Sequence, residues 1–385
     1  MGSTFDGLRF EAIVGFPLIQ VGYVPHSKDL QHPADRRRLA FWAAEENLKL
    51  IIENPLDSDI LVLSSAANFG YWLKRARQPV IIDLVDGYLG ENPSFIKDFL
   101  RNTLRTVGGT SSFRWITYTR HLRYACELST AVVVASIEQR ELVRPLNKNV
   151  VVILDNHSEL ATSTLDSANI ATKVSIKSNR QYVFWEGFGY TLKHFAFMSG
   201  DLDHFLQKFN CGMYLVTVKE FPRWGGYIGK VQTRTLIKKM FPLSWKSIEI
   251  IPWSIENLSI YANKSLFGII PIDSGDKFAT LKSENKLLSM WCLGLPVLFS
   301  KIPSYSRVAA SSNSEFAGVL DEMWTNKLQY LFFHPEQINT LRNEGSAYVA
   351  LNHSKEILLK AWGSTIRDVY SQVSTSTSRD NRKHQ

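Results

Sequence analysis

The chain alternates short apolar runs, rich in β-branched residues, with amphipathic segments, and this alternation is the feature that most constrains its fold. Ten such runs are present, at 18–24, 59–64, 79–86, 131–136, 150–155, 181–187, 212–218, 247–253, 265–272 and 295–300. Near-continuous apolar strands separated by helices indicate parallel sheets with both faces covered. We therefore predict an α/β fold made of two Rossmann-like, doubly wound domains that face each other across a cleft.

A polar segment rich in Ser, Thr and Asn, residues 156–179, separates the two sets of runs and has no clear apolar period. This composition is typical of a linker. The predicted organisation is an N-terminal domain over 1–160, a linker over 161–180 and a C-terminal domain over 181–353.

The segment that follows has the pattern of one more helix, with Ser354 as a candidate N-cap. Four of its side chains recur at helical spacing, namely Leu358, Trp362, Thr365 and Val369. We predict a helix over 354–372 that could pack back on the N-terminal domain. The polar residues 373–385 predict a disordered tail.

The composition is that of an ordinary globular protein, with 45% apolar and 21% charged residues. No run approaches the ~20 apolar residues that span a bilayer, and the N-terminus does not resemble a signal peptide. The cysteines Cys126, Cys211 and Cys292 match neither a disulfide framework nor a zinc site, and they indicate a reducing compartment. We therefore expect a cytoplasmic protein.

The formal net charge of +8 is compatible with binding to nucleic acid, an anionic membrane surface or a phosphorylated small molecule. The basic residues are scattered, apart from Arg36-Arg37-Arg38 and the C-terminal tail. No zinc-finger spacing, basic zipper or aromatic RNA-binding signature is present, so we expect no nucleic-acid partner. The charge agrees with peripheral attachment to the inner face of a membrane.

The segment Lys282-Ser283-Glu284-Asn285-Lys286 precedes an apolar stretch, "LLSMWCLG", that is typical of a helix. The unpaired N–H groups and the dipole at a helix N-terminus attract anions, whereas lysines there are unfavourable unless an anion offsets them. The pattern therefore favours an anion-binding site. The alternative is a solvated helix start with snorkelling lysines.

Candidate residues in the first half follow the predicted strands. His32 and Asp35 form a candidate pair after the first strand, although Asp35 could also cap a helix. Asp83 and Asp86 lie at the C-terminal end of another strand, where open α/β sheets bind ligands. Either could serve as a polar anchor or a general base.

His121 and His157 are further candidates, although an isolated histidine is more often structural than catalytic. The candidates that we select for catalysis are Asp86, His157 and Asp35. No spacing of His, Asp and Glu resembles a metal site, and no Gly-x-Gly-x-x-Gly or Walker A pattern is present. We therefore expect neither a metal nor a cofactor.

The order of several motifs resembles that of GT-B glycosyltransferases, and most of all glycosyltransferase family 4. The stretch "PID…KSENKLLSMWCLGLPVLFS…PSY" resembles the sugar-nucleotide-binding segment of that family. "VIIDLVDG" resembles the third strand of its N-terminal domain, and "YVFWEGFGYTLKHF" the first strand and Gly-containing turn of its donor domain. "IEIIPWSIENLSIYANKSLFGIIPID" resembles its base-proximal loop, helix and next strand. The resemblance spans most of residues 18–370.

The resemblance implies an enzyme that transfers a sugar from a nucleotide-diphosphate donor, held by the second domain, to an acceptor held by the first. The implied acceptor is a saccharide or a lipid-linked saccharide in polysaccharide biosynthesis. The family resemblance also implies retention of anomeric configuration and no metal.

Further donor-binding residues follow from the same resemblance. Arg223 and Lys230 flank "WGGYIG", where GT-B enzymes carry an Arg and a Lys that neutralise the donor diphosphate, although both could be ordinary surface cations. Gly187 would let the backbone approach a phosphate, or it marks a plain strand-to-helix turn. Trp253 could stack on a nucleobase or belong to the core.

The chain departs from the family pattern at two positions. Many members carry two glutamates eight positions apart, and Leu281 and Ser289 occupy those places here. The second glutamate is thought to contact the donor ribose, and Glu284 is a possible substitute. Two alternatives therefore stay open: a sugar-nucleotide epimerase with the GT-B fold, and a non-catalytic protein that binds nucleotide sugars or glycans.

Overall fold

The computed structural model describes residues 19–90, 94–107, 109, 111–112, 116–160, 180–222 and 229–380, with side chains up to residue 372 except that of Lys97. Most of the predicted linker, 161–179, lies outside these ranges. Within them, no helix is both long and apolar enough to cross a bilayer.

The first sheet is built from five parallel strands. They are β1 (Val21–Val24), β2 (Ile60–Ser64), β3 (Val80–Leu84), β4 (Ala131–Val134) and β5 (Val150–Val152), and they lie side by side in this order. Ile51 pairs with the other side of β1, so the chain crosses from one side of β1 to the other before it forms β2. This reversal is the point at which open α/β sheets bind ligands.

Six helices and a 3₁₀ turn over Tyr88–Gly90 lie between β1 and β5 among the described residues. The helices are α1 (Pro33–Arg36), α2 (Leu39–Glu45), α3 (Phe69–Leu73), α4 (Phe95–Val107), α5 (Tyr118–Leu128) and α6 (Ile137–Val143).

The second sheet has six parallel strands, and a two-stranded antiparallel hairpin lies beside it. The sheet contains β6 (Tyr182–Glu186), β7 (Gly212–Thr217), β10 (Ile248–Pro252), β11 (Phe267–Ile270), β12 (Val297–Ser300) and β13 (Gly318–Val319), and the hairpin contains β8 (Glu220–Pro222) and β9 (Lys230–Gln232). The order in space is β10-β7-β6-β11-β12-β13, which is the order of a dinucleotide-binding Rossmann sheet. Its connections reverse between β6 and β11.

Nine α-helices follow β6 among the described residues. They are α7 (Ser199–Lys208), α8 (Thr233–Met240), α9 (Ile255–Asn263), α10 (Lys277–Thr280), α11 (Asn285–Cys292), α12 (Pro303–Ser311), α13 (Trp324–Phe333), α14 (Pro335–Asn352) and α15 (Lys355–Asp380). A long 3₁₀ segment over Gly189–Phe195 follows β6 directly.

All ten predicted strands are present, which confirms the prediction of two Rossmann-like sheets. The apolar runs are buried because alternate residues of each strand point to cores on opposite faces. In the first sheet, Ile81 and Val133 face one core, whereas Ile82 and Val132 face the other. The two-residue strand β13 and the hairpin were not predicted, because segments of two or three residues carry no readable period.

The last helix, α15, packs on the first sheet. Its buried residues Leu358, Trp362, Ile366 and Val369 join the core that contains β1 and α2. The chain thus returns from the second domain to cover the first. The helix continues to Asp380 rather than ending at residue 372, because residues 373–380 contain neither Gly nor Pro to stop it.

Candidate functional site

The segment 282–286 lies at the point where the connections of the second sheet reverse. The Lys286 ammonium is 3.8 Å from a carboxylate oxygen of Glu186, the last residue of β6, and 4.8 Å from the centre of the Trp185 ring. Lys282 is close enough for its charge to disfavour the charged form of Lys286. The sheet therefore gathers two cations at the edge where Rossmann folds bind phosphate groups.

The positive charge of Lys286 is poorly solvated. The pKa of Lys286 is lowered to about 8, chiefly by burial; Glu186 acts in the opposite direction, and the Lys282 charge adds to the lowering. About a quarter of the side chain stays exposed. Burial also lowers the pKa of Lys282, against the attraction of Asp86 and Asp276. An anion between the two ammonium groups would relieve both effects.

Gly187, directly after β6, leaves the space that the Lys286 ammonium occupies. A Cβ at this position would lie 3.0 Å from Lys286 Nζ and 2.9 Å from a carbon of the Trp185 ring. The absence of a side chain at Gly187 therefore makes room for the Lys286 ammonium and the Trp185 ring. This role adds to the close approach of the backbone to a phosphate, which stays a prediction.

Helix α11 begins at Asn285, and Glu284 precedes it without forming a side-chain cap. The first N–H groups of the helix therefore remain available to an anion near the lysines. Ser283 is half-buried beside them. This geometry favours the anion-site interpretation of the segment over a purely solvated helix start.

Two side chains of the segment, those of Glu284 and Asn285, bind protein groups. The buried Glu284 carboxylate accepts a hydrogen bond from Arg307 at 3.0 Å, and burial raises its pKa. Asn285 accepts a hydrogen bond from the backbone N–H of Asp155 at 3.0 Å, across the domain boundary. Both residues were predicted to bind the donor. One oxygen of each side chain already accepts from a protein group, whereas the second Glu284 oxygen, Oε2, is buried without a hydrogen-bond partner among the described residues.

His194, Lys193 and Asp276 extend the cationic site and were not singled out from the sequence. Burial, followed by the charges of Lys282 and Lys193, lowers the pKa of His194 to about 4, so this imidazole is neutral at pH 7. Lys193 donates a 2.6 Å hydrogen bond to Asp276, which also caps α10. The signal in the sequence was the stretch "GYTLKHF" directly after Gly187 and Phe188, the turn where a Rossmann domain meets its ligand.

Asp86 faces the cationic site from the first domain. Burial raises the pKa of its carboxyl group, and the Lys282 charge is the largest effect in the opposite direction. Tyr190, on the second domain, lies close enough to Asp86 for that charge to raise the pKa of its phenol, after the larger effect of burial. Asp86 is thus the predicted catalytic residue that the fold places opposite Lys282.

Asp83, only three residues earlier, has a structural role. The Arg38 guanidinium is fully buried and donates to both Asp83 oxygens, at 2.6–3.0 Å, and to Asp155 at 3.0 Å. It also donates to the backbone carbonyl of Ile153 at 2.8 Å. This network ties the ends of β3 and β5 together and leaves the Asp83 carboxylate fully paired.

Asp35 is likewise a structural anchor rather than a catalytic group. One of its oxygens accepts from the Tyr23 hydroxyl at 2.6 Å and the His26 N–H at 2.9 Å, and the other accepts from the N–H and hydroxyl of Ser27. It neither caps α1, a role that His32 fills, nor pairs with His32. These bonds shape the loop after β1, where the rings of His26 and His32 stack 4.7 Å apart.

The two isolated histidines are inside the protein. His157 is 2% exposed, lies 5.5 Å from the ring of His353, and has a pKa that burial lowers well below its ordinary value. His121 is fully buried within α5. Because His157 is covered by protein, the structure gives no support to its predicted catalytic role.

Two of the remaining predicted residues, Trp253 and Lys230, are exposed. Trp253 is 38% exposed, and the Arg36 guanidinium is 5.8 Å from its ring centre, so Trp253 does not belong to the core. Lys230 is exposed on β9 and pairs with Glu220 on the neighbouring strand. Arg223 lies outside the described residues.

Leu281 and Ser289, the positions where glutamates were expected, have other roles here. A Cβ at Gly90 would collide with Leu281, and one at Gly87 would lie only 3.0 Å from it, so Leu281 packs closely against both glycines of the first domain. Ser289 donates a hydrogen bond to the backbone carbonyl of Lys286 at 2.8 Å. An apolar contact between the domains and a hydroxyl bonded within helix α11 thus replace the two carboxylates.

The two domains are also joined by charge. Arg307, on α12, donates to both oxygens of Glu138 on α6, at 2.9 and 3.1 Å, and it also holds Glu284. Across the same cleft, the rings of Tyr88 and Phe278 lie 5.1 Å apart. In the described ranges, no group of three or more His, Cys, Asp or Glu side chains could hold a metal ion.

No protein-family model matches the sequence, and a comparison with curated proteins gave no significant match. Among solved structures, an alpha-glucosyltransferase in complex with UDP and a 13-mer DNA containing a HMU base matches with a TM-score of 0.56 at 9% identity, over 91% of this chain and 99% of that one. A glycosyltransferase from Rickettsia africae ESF-5 matches with a TM-score of 0.53 at 13% identity, over 86% and 87% of the two chains.

TarM matches with a TM-score of 0.52 at 10% identity, over 80% of this chain and 54% of that one, so the present chain spans about half the length of TarM. These likenesses agree with the two parallel sheets and with the cleft between them. The chain has the GT-B fold, the fold of these glycosyltransferases.

Proposed function

We propose that this protein is a glycosyltransferase that moves a sugar from a nucleotide-diphosphate donor to a saccharide or lipid-linked saccharide acceptor. The observation that carries the proposal is the pair Lys282 and Lys286, which lies at the reversal point of the second sheet and faces Asp86 of the first domain. Two solved structures support it, because one is named an alpha-glucosyltransferase and is in complex with UDP, and the other is named a glycosyltransferase.

The cationic site would bind the donor diphosphate. Two ammonium groups and the first N–H groups of α11 stabilise negative charge that grows on the leaving diphosphate, and they do so without rearranging. Because these groups already supply the neutralising charge, we propose that the reaction needs no metal. The family resemblance further suggests retention of anomeric configuration.

Asp86 would bind the acceptor hydroxyl and accept its proton. A carboxylate whose pKa is raised by burial is a better base than an exposed one. The domain contacts at Leu281 and Arg307 would exclude water while the hydroxyl and the anomeric carbon are held together. We place this chemistry in the cytoplasm, in the synthesis of a polysaccharide.

The test is a screen of uridine-, guanosine- and thymidine-diphosphate sugars by thermal shift, followed by a mass-spectrometric assay for donor turnover. We expect one nucleotide class to raise the melting temperature of the wild type. Lys282→Ala/Lys286→Ala should lose that shift, whereas Lys230→Ala, a cation on the hairpin, should keep it. Absence of any shift with every donor would overturn the proposal.

A second candidate is a non-catalytic protein that binds a nucleotide sugar, and the residues at 281 and 289 favour it. Leu281 has no hydrogen-bonding group, and the Ser289 hydroxyl carries no negative charge, so neither side chain can replace an expected carboxylate. The two candidates differ in one measurement. Donor-dependent stabilisation without transfer or hydrolysis, in the wild type and in Asp86→Asn alike, identifies the binding protein.

A further inference from the structure

Helix α4 of the first domain turns its apolar side to the solvent. Ile96, Leu100, Leu104 and Val107 follow one another at intervals of three or four residues, and their exposed fractions are 72%, 54%, 49% and 80%. Phe95 at the start of the helix is 72% exposed as well. The exposed residues of a soluble helix are normally its polar ones, so this orientation is the reverse of the usual pattern.

The polar side of α4 is fixed against the protein by specific bonds. The buried Asp98 carboxylate accepts from the Thr119 N–H at 3.1 Å and 3.2 Å. The buried Asn102 side chain donates to the Ile116 carbonyl at 2.8 Å and accepts from the Ser111 hydroxyl at 3.0 Å. Rotating the helix to hide its apolar stripe would break all of these bonds, so the exposed stripe is a fixed feature of the surface.

The helix pair that carries the stripe is rich in basic residues. Among the ionisable residues of α4 and of its neighbour α5, five are Lys or Arg and two are acidic, and Asp98 is one of those two and is buried. The five in the sequence are Lys97, Arg101, Arg105, Arg120 and Arg123. Arg101 and Arg105 pack on the rings of Tyr88 and Tyr118. On α5, Arg120 and Arg123 are exposed beside Tyr124 and Leu128, which are 45% and 53% exposed. A protein partner for this surface would need both an apolar groove and acidic groups, whereas an anionic bilayer offers both over any area.

The stripe is also close to the cleft. The Arg101 guanidinium lies 5.7 Å from the centre of the Tyr88 ring, and Tyr88 contacts Phe278 of the second domain. Helix α4 starts five residues after Gly90, which packs against Leu281. A partner in contact with α4 would therefore lie beside the entrance of the cleft that contains Asp86.

We propose that α4 is an interfacial helix, whose stripe Ile96, Leu100, Leu104 and Val107 enters the headgroup layer of an anionic membrane while neighbouring arginines bind lipid phosphates. The 13-residue helix lies in the plane of the membrane rather than across it. The proposal deepens the proposed function, because it would bring a lipid-linked acceptor to the cleft. It does not depend on catalysis, since lipid binding needs neither donor nor acceptor.

The test is flotation of the full-length chain with vesicles of phosphatidylcholine alone, and with vesicles in which a third of the lipid is phosphatidylglycerol. We expect binding to the anionic vesicles that is about tenfold tighter or more than to the neutral ones and that weakens at high salt. Ile96→Ser/Leu100→Ser/Leu104→Ser should weaken binding to the anionic vesicles by about tenfold or more.

The matched control is Phe333→Ser/Leu351→Ser/Ile357→Ser, which removes three apolar side chains of similar exposure, 61%, 76% and 44%, from other surfaces. We expect it to bind as the wild type does, and both triple variants should keep the wild-type melting temperature because all six side chains are exposed. Equal binding of the two triple variants would overturn the proposal. A wild type that binds neither kind of vesicle would also overturn it. If the wild type then dimerises in a concentration-dependent way and the α4 variant does not, the stripe is an interface with a second copy of the chain.

Discussion

At the scale of single residues, Lys286 combines a positive charge with a position in which that charge is poorly solvated. Its nearest carboxylate, on Glu186, is 3.8 Å away, which is too far for a hydrogen bond. An ammonium group held in this way gains more from an incoming anion than an exposed lysine does, because it has less water to lose. Lys286 should therefore contribute to ligand binding rather than to stability.

Replacing Lys286 by Met separates these two contributions. We expect the unliganded variant to melt within about 4 °C of the wild type, because the new side chain has a similar volume and carries no charge. Binding of the donor nucleotide should weaken by about thirtyfold or more, since a charged partner of the phosphates is lost. Calorimetric titration measures the second effect and differential scanning fluorimetry the first; wild-type affinity in this variant would remove Lys286 from the site.

The pH dependence of nucleotide binding follows from the same residue. Its pKa is about 8 in the folded protein, against an ordinary value of 10.5, so the ammonium is present below about pH 8 and is lost as the pH rises through that value. A diphosphate that prefers the charged form should bind up to about tenfold more weakly for each pH unit above 8. Dissociation constants measured from neutral to alkaline pH test this.

Lys286→Arg provides the control for that titration, because a guanidinium stays charged throughout this range. We expect the affinity of this variant to depend much less on pH. The same decline in both proteins would mean that another group, such as Lys282, titrates in its place.

The aspartates of the first domain show what the sequence leaves undecided at this scale. Asp35 and Asp86 follow strands of one sheet, and Asp83 is the last residue but one of β3, so the pattern gives all three similar claims to a functional role. The fold distinguishes them by their partners: Arg38 pairs with Asp83, backbone N–H groups surround Asp35, and Asp86 is left facing Lys282. Arg38 is 45 positions from Asp83, so no local rule could have identified this pair.

At the scale of elements, the strands were predictable because burial on both faces imposes near-continuous apolar runs. The orientation of α4 was not, because its apolar period is the same whether the stripe faces the core or the solvent. The bonds of Asp98 and Asn102 decide the orientation, and their partners lie on a later segment of the chain.

The packing of α15 on the first domain gives a prediction about stability. Trp362 is 1% exposed in the core shared with β1 and α2, so Trp362→Ala should lower the free energy of unfolding of the first domain by about 3–5 kcal/mol. Ile357→Ala, on the exposed side of the same helix, should cost less than about 1 kcal/mol. Denaturant unfolding followed by tryptophan fluorescence measures both; equal costs would mean that α15 does not complete this core.

At the scale of the whole molecule, the ion pair between Glu138 and Arg307 links the two domains and also reaches the segment 282–286 through Glu284. The side chains of Glu138 and Arg307 are partly exposed, so their attraction is weaker than that of a fully buried pair. Because Arg307 binds both Glu138 and Glu284, the ion pair still couples closure of the cleft to the position of the segment 282–286.

Glu138→Gln tests this coupling. We expect unchanged melting of the protein, a more open average shape by small-angle X-ray scattering, and kcat/KM lower by about tenfold. Glu141→Gln is the matched control, because Glu141 lies on the same helix and pairs only within the first domain, with Arg140 and Arg144, among the described residues. If the two variants behave alike, the ion pair does not govern closure.

The sequence by itself determined the two α/β domains, the strands and the position of the Lys282–Lys286 segment before a helix, because each of these follows from the order of apolar and polar residues along a short stretch. Only the tertiary structure decided which carboxylate faces the cleft, that Leu281 meets Gly87 and Gly90, and that α4 shows its apolar side to the solvent. These outcomes depend on contacts between residues far apart in the chain. The physical reason is that the role of a side chain depends on the partners that folding brings to it, and a local sequence pattern cannot predict partners that are far away in the chain.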